Sequence, residues 1–373
     1  MDLERLVSAS EGRLRARLQE LGEVESPSED KAAVDRAGEL VAGWAEDLGG
    51  KAKRHRQKAF GDVLELRFGP PGSKRGRVLL LGHLDTVWPM GTLAKMPWRE
   101  VEGKLCGPGV LDMKAGVVMA LEAVAALKEL EQERPLLLVS EEEVGSPVSR
   151  GIMENLAAEC AAVLVLEPAQ GLAYKTARKG VANYGLRVEG VGSHAGVDFG
   201  SGHSAVLEMA RLVQKVSGFT ELGKGLTVNV GVIAGGTRSN VVTAECVAEV
   251  DVRIKKAKDA ARVEKMFRGL KVTDKACTLR VTGGINRPPM ERKAGTVALF
   301  RLAQRLAAEM GLELEEAATG GGSDGNFTAA MGVPTLDGMG AVGEGAHAAQ
   351  EHVLVKHLVE RTALLAGVIA GIE

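Results

Sequence analysis

The sequence predicts an α/β protein: a mixed, largely parallel sheet sandwiched by helices, with a smaller α+β domain inserted into it. Three observations predict this. Short, nearly continuous apolar runs alternate with amphipathic runs of helical period from Arg77 to Glu167. Between Gly180 and Arg287 the rhythm changes to β-α-β-β-α-β, the split βαβ order of a ferredoxin-like domain. After Pro288 the first rhythm resumes.

Taken in order, MDLERLVSASEGRLRARL reads as an amphipathic helix with charges of both signs, without a signal peptide's basic start and unbroken apolar core. The basic patch KAKRHRQK, Lys51 to Lys58, reads as a solvated strand edge rather than a binding site. The strand RVLLLGHLD precedes a helix over Lys114 to Leu130, the strand PLLLVS, a helix near Pro147 to Ala158 and the strand AAVLVLE. Strands this apolar are covered on both faces, which is the habit of parallel sheets. In the middle, VANYGLRVEGV, LTVNVGVIAGG, VTAECVAEVDVRI and CTLRVTGG read as strands, and HSAVLEMARLVQKVSG and DAARVEKMFRGL as helices. Helices over Ala294 to Met310 and Val353 to Ile369 complete the chain. The expected organisation is residues 1–178 for the first part of the larger domain, 179–287 for the insertion and 288–373 for the second part.

Composition narrows the function. The 373 residues are 45% hydrophobic and 26% charged, with a formal net charge of −2. No basic excess recruits nucleic acid or an anionic membrane, and no segment approaches a membrane span. A cytoplasmic location is the expectation. Cys106, Cys160, Cys246 and Cys277 are scattered without a C-x-x-C pair, so they read as buried thiols rather than disulfides or a metal site.

In an open α/β sheet, sites form where strands end. The first such end carries His83 and Asp85, and GKLCGPGVLDMKAG then places Asp112 in a glycine-rich loop before a helix. The next ends are SEEEVGS, with Glu141, Glu142 and Glu143, and LEP, with Glu167; GAVGEGAHAAQEH supplies His347. Three adjacent carboxylates repel one another at a partly buried strand end, and a divalent cation removes that penalty. Two histidines and three carboxylates, one of them shared, suit two zinc ions a few ångströms apart. Such a pair binds a bridging water and lowers its pKa, while a further carboxylate moves the proton. Asp85 is placed to fix the tautomer of His83. Neither a dinucleotide-binding loop, nor a phosphate-binding loop, nor H-E-x-x-H is present.

The motifs GHLDTVWP, GPGVLDMKAG, SEEEVGS, VLEP, GSHAG, SN, DVR, TGGGSD and AHAAQEH occur in this order over nearly the whole chain. In them the chain resembles the di-zinc amidohydrolase family of glutamate carboxypeptidase, aminoacylase, acetylornithine deacetylase and succinyl-diaminopimelate desuccinylase, most of all its glutamate-carboxypeptidase branch. The resemblance implies that His83 and Glu167 bind one zinc, Glu143 and His347 the other, and Asp112 both, with a cis Asp112–Met113 bond. It implies Glu142 as general base and then acid toward a metal-bridging hydroxide, with Glu141 a bystander. Two Zn2+ per subunit are expected, with Co2+ or Mn2+ as substitutes.

The same resemblance makes 179–287 a dimerisation and lid domain and the protein a homodimer. His194, otherwise readable as a turn residue, is implied to stabilise the oxyanion in the partner subunit's site. Asn240, Arg253 and the backbone at Gly321 and Gly322 are implied to hold the substrate's α-carboxylate, with Arg287 a weaker candidate. Arg253 reads equally well as a member of a surface ion pair.

The implied activity is hydrolysis of an amide bond in a short peptide or N-acyl amino acid with a free C-terminal carboxylate. Ala173 stands where the nearest glutamate-specific relatives carry a lysine, which loosens the expectation of a glutamate side chain. Deacylation of one particular N-acyl amino acid is the alternative within enzymology. A non-catalytic dimeric ligand-binding protein on the same fold is the alternative outside it.

Overall fold

In the computed structural model, which describes residues 3–72 and 76–373, the chain divides into two compact units. One comprises Met1–Ala177, Arg292–Ala318 and Ser323–Glu373; the other comprises Arg178–Glu291 and Thr319–Gly322.

The first unit is built on a six-stranded sheet in the order Lys51–His55, Val63–Phe68, Arg134–Val139, Val78–His83, Ala162–Val165, Thr335–Leu336. The last four pair in parallel, and the first two strands join antiparallel. Alternate residues feed two cores. Leu80, Leu136, Leu138 and Leu164 meet the helices Lys31–Asp47, Ala115–Ala126, Ala294–Glu309 and Leu358–Ala370. Leu79, Leu81, Leu137, Val139 and Val163 meet Met153, Leu156 and Phe327 from the shorter helices on the other face. Burial on both faces is why these strands read as unbroken apolar runs.

Helix Ala115–Ala126 starts just after Asp112 and is apolar on almost every side, so it lies in the core. Its one charge, Glu122, is buried and is met by both Arg13 (2.6 Å) and Arg17 (2.9 Å) from helix Glu11–Gly22. A buried carboxylate is tolerated only with such partners.

The C-terminal helix begins at Leu358 rather than Val353, because His352–Leu354 forms a strand. That strand belongs to a four-stranded sheet in the order Gly343–Glu344, His352–Leu354, Lys104–Cys106, Arg99–Val101. Strand Lys104–Cys106 leads into the loop of Asp112, and His347 lies between the two C-terminal strands. This small sheet therefore joins two loops 235 residues apart.

The second unit is an antiparallel sheet in the order Thr227–Gly235, Glu245–Ile254, Gly180–Glu189, Thr278–Arg287. Helices Ala205–Ser217 and Ala257–Arg268 cover one face through Ala182, Tyr184, Leu186, Met209, Leu212, Val263 and Phe267. Tyr184 stacks on Phe267 with ring centroids 3.8 Å apart. Ser204 caps its helix by accepting from the Leu207 N–H. Cys106, Cys246 and Cys277 are buried and Cys160 half-buried, all as free thiols. Among the described residues no helix is long and apolar enough to cross a membrane.

Candidate metal centre

The parallel register sets the site. His83, the last residue of its strand, lies opposite Val139, so the turn carrying Glu141, Glu142 and Glu143 begins beside it. On the other side Leu81 lies opposite Val165, which brings Glu167, two residues further, level with His83. Asp112 comes from a tight loop entered through Gly109 at φ 71°, and its bond to Met113 is cis, as the resemblance implied. His347 sits in the left-handed region at φ 62°.

These loops converge on Asp112. Its Oδ1 is 3.2 Å from His83 Nε2, and its Oδ2 is 3.4 Å from His347 Nε2. His83 Nε2 is also 3.8 Å from Glu167 Oε1, and His347 Nε2 is 3.2 Å from Glu143 Oε1. Ligand atoms of His83, Asp112 and Glu143 lie within 4.8 Å of one another, as do those of His83, Glu142 and Glu167. Donors bound to one tetrahedral zinc at about 2.0–2.2 Å stand roughly 3.3–3.6 Å apart, so the spacings and the donor chemistry fit a pair of divalent cations.

The electrostatics agree. The His347 imidazole is pushed up to about 10 by its contacts with Asp112 and Glu143. Burial opposes a charge on His83, but Asp112 and Asp85 outweigh it and its pKa stands well above the ordinary value. Burial likewise works against the Asp112 carboxylate, and the two histidines override it, holding its pKa low. A field that retains protons on two imidazoles also attracts a divalent cation.

Two neighbouring carboxylates shape this centre from behind. Asp85 lies just past the strand end and is fully buried. It accepts from Ser28 Oγ (2.6 Å) and from the Glu142 and Glu143 N–H groups (both 3.1 Å). His83 Nδ1 is nearest the Asp85 main-chain carbonyl, at 2.9 Å, with the carboxylate at 3.4 Å. The carbonyl is thus the nearer partner for fixing the tautomer, while the carboxylate orients the glutamate turn. Glu141 turns away from its neighbours and is also fully buried. It accepts from Ser140 Oγ (2.6 Å) and from the Val148 (3.1 Å) and Ser149 (2.7 Å) N–H groups. The repulsion expected of three glutamates is relieved for Glu141 by these donors. Its burial was not legible in the run of three identical residues.

The other expected residues belong to the second unit. His194 is exposed, and its Nδ1 accepts from the Gly196 and Val197 N–H groups, both at 3.1 Å. In the neutral ring the proton then sits on Nε2, which is left as a donor. Asn240 adjoins it, since its carbonyl accepts from Ala195 and His194 pairs with Val241.

Arg253 and Arg287 both lie opposite Val181, on the two strands flanking it. Arg253 makes a two-point ion pair with Asp251, at 2.8 and 2.9 Å. Gly322 packs closely against Val181 and Arg287, and Arg178 donates to the carbonyls of Gly321 (3.4 Å) and Gly322 (3.1 Å). Arg253, Arg287, Gly321 and Gly322 therefore gather at one end of this sheet.

A protein that gathers two imidazoles and several carboxylates beside the ends of parallel strands, with His347 and Asp112 supplied by loops of a small antiparallel sheet, is built as a metallohydrolase. Sequence comparison gives the same class: the description of peptidase family M20/M25/M40 matches residues 79–371, and the chain belongs to that family. It is 28% identical over 367 residues to carboxypeptidase G2 of Pseudomonas sp. (strain RS-16), covering 94% of this chain and 87% of the relative. Acetylornithine deacetylase of Myxococcus xanthus is 27% identical, covering 81% and 82%. The crystal structure of a tripeptidase from Staphylococcus aureus has the same fold, with a TM-score of 0.82 at 19% identity, covering 97% of this chain and 98% of that one. The enzyme is accordingly a metal-dependent peptidase or amidohydrolase.

Proposed function

We propose that this enzyme hydrolyses the amide bond of a short peptide or N-acyl amino acid bearing a free C-terminal carboxylate, as a glutamate carboxypeptidase-like exopeptidase loaded with two zinc ions. The observation that carries this reading is Asp112, whose two oxygens face two different imidazoles at 3.2 and 3.4 Å. His83 and Glu167 would hold one ion, His347 and Glu143 the other, and Asp112 both. Bound there, the metal pair supplies a water of lowered pKa and a Lewis acid for the scissile carbonyl.

The chain's own residues do the rest. Glu142 takes the proton of the attacking water and delivers it to the leaving amine as the C–N bond breaks, giving a carboxylic acid and an amine. His194 offers its Nε2–H to the oxyanion of a partner subunit, and Asn240, Arg253 and Arg287 with the 321–322 backbone bind the substrate's α-carboxylate. Homodimerisation through 179–287 is supported by edge strand Thr227–Gly235, which carries Val232 and Ile233 at 49% and 55% exposure. A cytoplasmic location completes the reading, supported by four free thiols.

The kinship to carboxypeptidase G2 favours peptide-like substrates, and that to acetylornithine deacetylase keeps deacylation of one N-acyl amino acid as the second reading. A panel of dipeptides and N-acyl amino acids, assayed after loading with zinc, cobalt or manganese, tests this directly. Substrates with a free α-carboxylate should be cleaved, and acidic and apolar C-terminal residues are compared first. Turnover confined to amides without a free α-carboxylate would overturn the proposal.

A further inference from the structure

One buried side chain beside the centre is used by none of the steps above. Glu351 is 1% exposed, and its carboxylate accepts four N–H donors. Oε2 receives the Trp88 indole N–H at 2.8 Å and the Gly109 N–H at 2.9 Å. Oε1 receives the Leu111 N–H at 2.9 Å and the Asp112 N–H at 3.1 Å. The residue itself belongs to the loop of His347, where its own N–H donates to the Ala348 carbonyl.

We infer that Glu351 is a positioning residue for the metal centre: one carboxylate ties together the loops that carry His83, Asp112 and His347. The chemistry of the contacts supports this. In the Gly109–Asp112 turn the Val110 N–H donates to the Gly107 carbonyl while the N–H groups of Gly109, Leu111 and Asp112 go to Glu351, and buried donors left unmatched are costly. A carboxylate is the one side chain with acceptor capacity for four donors and no donor of its own. Collecting them fixes the backbone from which the Asp112 carboxylate projects between the two imidazoles.

The chain connection matters equally. Only three residues lie between His347 and Glu351, so any shift of the Asp112 loop is passed to the second imidazole through a short segment. Trp88 connects the same carboxylate to the loop that follows His83 and Asp85. Asp85 and Glu141 serve other segments: Asp85 accepts from Ser28 and the glutamate turn, and Glu141 from Ser140, Val148 and Ser149, and neither is bonded to the Asp112 loop by these contacts.

Glu351→Gln separates positioning from mere support. The amide keeps the size but presents its NH2 to two N–H donors, so two of the four bonds are lost. Zinc affinity is read by competition with a chromophoric chelator, and geometry by the visible absorption of the cobalt-loaded protein. The expected result is a folded protein binding zinc about 10- to 100-fold more weakly, with an altered cobalt spectrum and a fall in kcat at unchanged KM. Glu351→Asp, which keeps the charge, should recover part of both, and it supplies the reading if the glutamine variant does not fold. Trp88→Phe, which removes one bond of four, should shift the cobalt spectrum less.

The inference rests on the metal reading above, and the two fail differently. A wild-type chain that binds no metal sinks that reading and this one with it. A metal-binding wild type whose Glu351 variants keep its zinc affinity and cobalt spectrum overturns the positioning role alone.

Discussion

The two units solve the same problem of displaying polar side chains in opposite ways. In the first, parallel strands buried on both faces leave no room for chemistry along their length, so the reactive groups crowd at the ends. In the second, an antiparallel sheet is covered on one face only, and buried positions alternate with more exposed ones along Glu245–Ile254 and along Gly180–Glu189 from Ala182 onward. Strand Val78–His83 is buried at all six positions, whereas Gly180–Glu189 alternates in its outer half. A histidine ending the first kind of strand is conspicuous, and an arginine on the second kind looks like any surface arginine.

The contrast is broken most severely by removing a group from the first unit. Glu142→Ala should lower kcat by about 10²- to 10⁴-fold, the usual contribution of a proton-transferring side chain, while metal content by elemental analysis stays at the wild-type level. Near-normal turnover would reassign the base.

His194→Ala, in the second unit, should cost about 10²- to 10³-fold in kcat if its Nε2–H meets the oxyanion, again with metal content unchanged. Mixing this variant with the Glu142 variant should restore partial activity through mixed dimers. Mixtures as inactive as their parents, despite subunit exchange, would confine each site to one chain.

A smaller effect is expected at the sheet end where Arg253 and Arg287 flank Val181. Arg253→Lys keeps the charge and loses the two-point fork, so KM for carboxylate substrates should rise about tenfold with kcat nearly unchanged. Because Arg253 already pairs with Asp251, Asp251→Asn should lower KM if the ion pair competes with substrate. No change in either KM would leave Arg253 as a surface ion pair.

The mildest difference is in acid. In the first unit, burial raises the Asp62 carboxyl, but Lys31, the Gln57 N–H and Arg56 outweigh it and lower its pKa. Glu65 behaves likewise: burial opposes, and His55, Arg67 and Lys53 prevail. A carboxyl whose folded pKa is depressed contributes stability that is present above its unfolded pKa. That stability is lost as pH falls through the folded value. For these two groups the loss begins near the ordinary values of 3.8 and 4.5 and continues below them. Hydrogen exchange followed downward from pH 5 should therefore show strand Val63–Phe68 losing protection with acid, and Asp62→Asn should flatten that response.

The same contrast explains what was legible beforehand. Val78–His83 and Arg134–Val139 could be read as parallel strands because nothing polar interrupts them, and their ends put forward His83 and the glutamate turn as candidates at once. The second unit's element order was readable from its alternation, from Gly180–Glu189 through Thr278–Arg287. Illegible were the parts that depend on distant backbone. His352–Leu354 reads as the start of a helix until strand Lys104–Cys106 is placed beside it. Glu141 and Glu351 look like solvated acids, because the N–H groups they collect become orphans only once the loops have folded. A periodicity records which side chains seek the core, and it is silent on which peptide groups will lack partners.

The most direct test of the account is an anomalous diffraction map from crystals of the wild-type protein grown with zinc. Two peaks per chain are expected, one on each side of the Asp112 carboxylate, the first also bound by His83 and Glu167 and the second by His347 and Glu143. A single peak, or peaks away from Asp112, would contradict it.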